Sequence, residues 1–173
     1  MSEDLLVTSL LDDVHTSAQW IARSLDSAAY RTDFSPASLR DIEQFMSDHS
    51  DVGTAVEGGP LATDLGARLF ALGCYVGETA RHALGGSWEA DDDDPQGEIN
   101  VRLQLPDGSV VWPVQRLMQR FRNGPEDSIV GYGAALGLDM SLQPRTSGDL
   151  LTWGGTCGRP VGGGDVVRRW SRW

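Results

Sequence analysis

Glu78 and His82, four residues apart with Arg81 between them, are the best chemical constellation in this chain of 173 residues. On a helix that spacing sets both side chains on one face. A carboxylate and an imidazole so placed can move a proton or supply two ligands to a metal ion. A metal needs two more ligands, and the nearest candidates in type (His15, His49, Glu89 and the run Asp91 to Asp94) are fixed by nothing local. The same spacing also makes an ordinary helix-end ion pair, with His82 favoured by the C-terminal dipole. A third use has Glu78 partly buried and bonded to the backbone after Gly85-Gly86 or to the indole N–H of Trp88. All three uses stand open on the sequence.

Other chemistries find less. Cys74 lies on the apolar part of a helix, where a thiol acts as a small hydrophobe, and Cys157 sits among glycines with no histidine nearby. No Gly-x-Ser-x-Gly elbow occurs. The glycines from 154 to 164 have no lysine and no following helix, so they are not a phosphate-binding P-loop. The run Asp91 to Asp94 lacks the alternating ligands, mid-loop glycine and terminal glutamate of an EF-hand, and reads as a solvated loop. Trp88 and Trp112 are the aromatic candidates, either as the wall of a binding spot or as padding where helix meets sheet. The candidate binding residues are Tyr75, Glu78, His82, Trp88 and Trp112. No catalytic residue, metal ligand or cofactor is assigned.

The element that must position these groups is the stretch from Leu61 to Trp88. It reads as a long apolar helix starting at Thr63 or Asp64 and stopped by Gly85-Gly86. Leu65, Leu69, Leu72 and Val76 form one buried stripe, and Gly66, Phe70, Gly73 and Gly77 a second. Interior glycines cost about 1 kcal/mol each against alanine. That cost implies close approach of another backbone, from the helix at 35–49 or the helix at 113–124.

Upstream, residues 3–14 and 17–29 have helical spacing and form one helix or two, with His15-Thr16 the expected break and a capping box at Thr16 to Gln19. Trp20, Ile21, Leu25 and Ala28 form the apolar face. Ser35-Pro36 opens a helix burying Leu39, Ile42, Phe45 and Met46, with Asp41, Glu43 and Asp48 facing out. Residues 49–60 read as a loop. Downstream, Ser87 to Glu89 suggests a short strand, and the alternation from Glu98 to Leu105 a longer one. Pro106-Asp107-Gly108 turns it into a partner at 109–112. Pro113 opens a helix capped by Asn123-Gly124, and Pro125 opens another.

The formal net charge is −11, from 25 acids against 14 arginines and no lysine. From Arg145 onward the balance is +3, so the first 144 residues carry −14. This acidity excludes nucleic acid as the main partner. It fits solubility alone, or an acidic face for a basic partner. The end, Arg168 to Trp173, mixes arginine with tryptophan and resembles a membrane-surface or anion-binding end. No run approaches a membrane span, and the acidic N-terminus lacks a secretory n-region, so the expected location is cytoplasmic.

Tyr75, Gly77, Glu78, Gly85, Gly86, Trp88, Pro113, Asn123, Gly124, Glu126 and Asp127 together carry a resemblance. Their order resembles a bacterial, actinobacterial-type domain family with a Tyr-x-Gly-Glu helix, a Gly-Gly-x-Trp, a hairpin and a Pro-led helix ending in Asn-Gly and a Glu-Asp pair. The family has no assigned chemistry, so the resemblance implies a fold and no mechanism. High-GC codon usage accounts equally for the lysine-free composition.

The expected fold class is α+β: a helical N-terminal half around a central buried helix, a small antiparallel hairpin or sheet, and a covering C-terminal helix pair. Residues 1–138 form the domain and 139–173 a glycine-rich, basic extension. The expected function is a small acidic module that binds a protein partner, such as an immunity or accessory protein of a bacterial gene cluster. The alternative is an enzyme or a small-ligand or metal-binding protein with its pocket between the central helix and the hairpin.

Overall fold

A computed structural model describes residues 9–141. The fold is α+β, with six helices, a two-stranded ladder and a three-stranded antiparallel sheet. Among the described residues no helix is long and apolar enough to cross a membrane. Residues 3–8 of the helix expected at 3–14, and residues 142–173 of the extension expected at 139–173, lie outside the described residues.

Helix α1 runs unbroken from Leu10 to Ser27. Leu10, Val14, Ala18, Ile21 and Leu25 are buried along it, so the apolar stripe passes straight through the expected break at His15-Thr16. The capping box at Thr16 is not used, because the cap is met upstream. The Ser9 hydroxyl accepts from the Asp12 amide at 3.3 Å, and Asp92, remote in sequence, accepts from the Leu10 amide at 2.7 Å. Trp20 is 47% exposed rather than part of the buried face, with the Arg68 guanidinium 5.8 Å from its ring.

A 3₁₀ turn at Pro36–Ser38 leads into α2, Leu39–His49, whose four expected core residues are all buried. The next segment, read as a loop, contains a small ladder: β1 at Ser50–Asp51 pairs with β2 at Thr54–Ala55. Its Gly53 amide donates to the Phe121 carbonyl at 2.7 Å, tying the turn to the C-terminal half.

Helix α3, Leu65–Leu84, starts at Asp64 and ends at Gly85, whose φ of +83° suits glycine. It lies between α1 and α5, Pro113–Asn123. The expected close neighbour of its glycine stripe is therefore α5. A Cβ at Gly73 would stand 2.6 Å from the Cα of Val114, and one at Gly77 would overlap the ring of Trp88.

After α3 the chain forms β3 at Ser87–Glu89, a single turn α4 at Gly97–Asn100, β4 at Arg102–Gln104 and β5 at Val110–Val111, in the order β3-β4-β5. The strand expected over 98–105 is thus shortened at its front. Asp94 explains it: one carboxylate oxygen accepts from the Gln96 amide at 2.9 Å and the other from the Asn100 side chain at 2.7 Å, winding that stretch into a turn. The alternation survives from Val101 to Leu105, where Val101, Leu103 and Leu105 are buried.

Beyond α5 the helix expected from Pro125 divides. Pro125–Asp127 is a 3₁₀ turn, and α6, Ile129–Ala135, begins afresh with the Ser128 hydroxyl accepting from the Gly131 amide. After α6, Leu138 and Met140 are buried, and Arg40 Nε donates to the Met140 carbonyl at 3.3 Å.

Candidate functional site

Glu78 lies on the last third of α3, where the helix passes under β3. Its side chain is 6% exposed and satisfied on both oxygens. Arg81, one turn on, donates from Nε to Oε1 and from Nη2 to Oε2, each at 2.9 Å. The indole N–H of Trp88 donates to Oε1 at 2.5 Å. This is the structural use weighed above, and the Gly85-Gly86 reversal makes it possible by returning the chain over its own helix. His82 stands 3.4 Å from Oε2, and His15 of α1 stands 3.6 Å from Oε1. His15 is one of the groups the sequence offers as a possible addition to Glu78 and His82, and the packing of α1 on α3 is what brings it there. His49, also offered, lies instead beside Tyr30 and Phe45.

The electrostatics follow from these partners. Burial alone raises the Glu78 carboxyl pKa, but hydrogen bonds from Arg81 and Trp88 and the charges of Arg81 and His15 outweigh it, and the net shift is below the ordinary 4.5. A carboxylate held ionised and fully bonded is poorly matched to proton transfer near neutral pH. Its neighbours are committed too. The Tyr75 hydroxyl accepts from the Phe34 amide at 3.0 Å and shares a 2.7 Å bond with Ser38, and burial pushes its pKa up to about 12. Its ring stacks on Phe34 at 4.6 Å, holding a loop in which Phe34 takes a φ of +57°. Cys74 is fully buried, which pushes its thiol well above the usual range. Among the described residues no group of three His, Cys, Asp or Glu side chains is arranged to hold a metal.

Glu78→Gln is expected to cost about 1–2 kcal/mol at pH 7, since the amide keeps one acceptor but loses the charge-assisted fork. The carboxyl pKa is depressed by folding, so its contribution is present above the unfolded value near 4.5 and is lost as pH falls through the folded one. Urea denaturation at pH 7 and at pH about 3 therefore should show the gap between wild type and variant shrinking in acid. An equal gap at both would contradict this account.

A groove of about 330 Å³ opens on the sheet side, lined by Glu89, Asp91, Asp94, Asn100, Arg102 and Trp112. Trp112 is 42% exposed, whereas Trp88 is buried on the opposite face of the sheet. The two tryptophans thus do not share a site. Of the five candidate binding residues, Tyr75, Glu78, His82 and Trp88 belong to one packed knot, and Trp112 alone meets the groove.

No family model, curated protein or solved structure matches this chain.

The groove beside Trp112 is mostly acidic. Three carboxylates face one guanidinium there, and Arg102 is engaged by Glu89 at 2.7 Å. The Asp94 carboxylate is bonded to Asn100, which stiffens the wall. The outcome is an acidic notch with an aromatic rim. Two further polar groups escaped the sequence reading: Arg120 is 2% exposed and paired at 2.7 Å with Glu43, which was expected to face solvent.

Proposed function

We propose that this chain is a non-enzymatic protein-interaction module that recognises a basic segment of its partner, in the manner of an immunity or accessory protein from a bacterial gene cluster, working in the cytoplasm. The observation that carries the reading is the groove beneath Trp112, with Glu89, Asp91 and Asp94 along it. An arginine side chain fits that chemistry, because its guanidinium can stack on the indole and bond the carboxylates together. The described residues carry 21 acids and nine arginines, so the field around the notch draws cations and speeds encounter. The titratable groups of α3 support a binding role over catalysis, since Glu78 and Tyr75 are consumed by the fold. Membership of the family described above fits the way its motif residues pack: Gly77 lies against Trp88 and Pro113, and Glu78 bonds Trp88.

The test is calorimetry with a short arginine-rich peptide carrying one tryptophan, against the same peptide with glutamate for arginine. The arginine peptide is expected to bind, more weakly as salt rises, and Trp112→Ala to reduce affinity about tenfold, or roughly 1.4 kcal/mol. Equal binding of both peptides, or a Trp112→Ala variant that binds like wild type, sinks the reading.

A further inference from the structure

Strand β5 pairs with β4 on one side and, among the described residues, with no strand on the other. The turn before it decides which backbone groups are left over. The Leu105 amide donates to the Ser109 carbonyl at 2.8 Å, and the Gly108 amide donates to the Leu105 carbonyl at 3.0 Å. Gly108 takes the left-handed φ of +86° that such a three-residue turn needs. Leu105 and Ser109 are thus a hydrogen-bonded pair. In an antiparallel ladder these pairs alternate with pairs that exchange no bonds. The register continues through Gln104 with Val110 and Leu103 with Val111, so Val111 directs its amide and carbonyl to β4. Val110 directs both of its backbone groups away from β4, and Trp112 directs its amide the same way. The Trp112 carbonyl accepts from the Arg116 amide at 3.0 Å, inside the start of α5.

Two features mark this edge as one that takes another strand. Free edges are ordinarily blunted by a charge or a proline. Ser109, Val110, Val111 and Trp112 include neither, whereas the opposite edge strand, β3, carries Glu89, paired with Arg102 at 2.7 Å. The second feature is continuity with the groove. Alternation along the strand sets Val110 and Trp112 on the face that also carries Gln104 and Arg102. Trp112, 42% exposed, stands where the edge meets the groove. Gln115, in the first turn of α5, donates to Asn100 Oδ1 at 3.3 Å, and Asn100 bonds Asp94, which holds the acidic wall beside the same end of β5.

From the open edge of β5 and the groove that continues it, we propose that the partner's basic segment binds as an extended strand added antiparallel to β5, with its arginine opposite Trp112. In that register Val110 exchanges two backbone bonds with the residue two positions after the arginine. The Trp112 amide donates to the carbonyl of the arginine itself. Directly opposed residues share a face, so the guanidinium stacks on the indole and turns toward the carboxylates. Glu89, Asp91 and Asp94 against the one guanidinium of Arg102 leave the groove negative, which selects a cation at that position. Main-chain bonds then supply affinity and the alternate side chains supply specificity. This inference rests on the proposed function for the arginine, and goes beyond it in fixing the conformation and register of the segment that carries it.

The test leaves the protein unaltered. Calorimetry compares a threonine peptide containing one central arginine with two N-methylated forms and with a form having glutamate for arginine. Methylation two places after the arginine removes the amide that donates to Val110, and is expected to weaken binding about tenfold. Methylation one place after it removes an amide that points away from β5, and is expected to change affinity by less than about twofold. In the saturated complex, hydrogen exchange at the Val110 amide should slow about tenfold, while exchange at Val111, bonded to β4 throughout, stays as in the free protein. Equal weakening by both methylations, or by neither, overturns strand addition; if the arginine form still binds more tightly than the glutamate form, the groove reading survives that result. If the methylation pattern holds but the glutamate form binds as well as the arginine form, the strand stands and the arginine reading fails. Binding by none of the peptides overturns both. Val110 protection that rises with protein concentration and needs no peptide means that a second copy pairs with the edge, and overturns the proposal.

Discussion

Arg120→Ala is expected to lower the stability of this protein by about 3–5 kcal/mol, the cost of stranding one half of a buried ion pair. Among the described residues Arg120 is the largest of the fully buried side chains. Its Nε donates to Glu43 Oε1 at 2.7 Å and its Nη2 to Ser47 Oγ at 3.0 Å, so it joins α5 to two turns of α2. The other Glu43 oxygen accepts from the Ile129 amide at 2.7 Å and from the Ser128 hydroxyl at 3.3 Å, at the start of α6. One carboxylate therefore holds three helices, and its position depends on the guanidinium opposite. Domains of this size have only about 5–15 kcal/mol in total, so the melting temperature should fall by roughly 10–20 °C. Arg120→Met keeps most of the stem volume and separates packing from charge. Combined with Glu43→Ala, it should cost less than the sum of the two single changes by about 2 kcal/mol, since each single change leaves the other group unpaired. A loss below about 1 kcal/mol for Arg120→Ala would show that the pair is dispensable.

That pair also marks where reading from sequence stops. Leu39, Ile42, Phe45 and Met46 were legible because a helical period announces itself locally, and all four are buried. Glu43 lies inside the same helix and was assigned to solvent, because periodicity sorts residues by polarity. It cannot sense a partner 77 positions away. The same limit hides the cap of α1, where Asp92 supplies an acceptor from a loop that composition describes only as solvated. Trp20 fails in the opposite sense: its apolar ring suggested burial, yet it lies exposed beside Arg68. At the candidate site the bond from Trp88 to Glu78 was legible as one option, since the glycine pair between them forces a tight reversal. The groove was not, because its lining comes from β3, the acidic loop, α4, β4 and the residue before α5, and only the folded sheet brings these together.

The glycines of α3 give the other large effect, and they separate two kinds of steric limit. Alanine in a helix interior normally gains about 1 kcal/mol over glycine. At Gly73 that gain is expected to be reversed to a net loss of about 3 kcal/mol. A new Cβ meets the backbone Cα of Val114 at 2.6 Å, so the whole of α5 must shift. At Gly77 the obstacle is the ring of Trp88, with the Pro113 Cγ at 2.9 Å behind it. Here the loss is expected at about 2 kcal/mol, since a side chain yields more readily than a helix axis. Removing the ring tells the two apart. Trp88→Leu is itself destabilising, because it vacates core volume and drops the bond to Glu78. In that background, however, Gly77→Ala should become nearly neutral, while Gly73→Ala should keep its full cost. Chemical denaturation of the five variants, three single and two double, measures both differences. If Trp88→Leu relieves both glycine changes equally, the contact of α3 with α5 is set by the tryptophan and not by the approach of the two backbones. If it relieves neither, Pro113 and the helix behind it are what exclude a Cβ at Gly77.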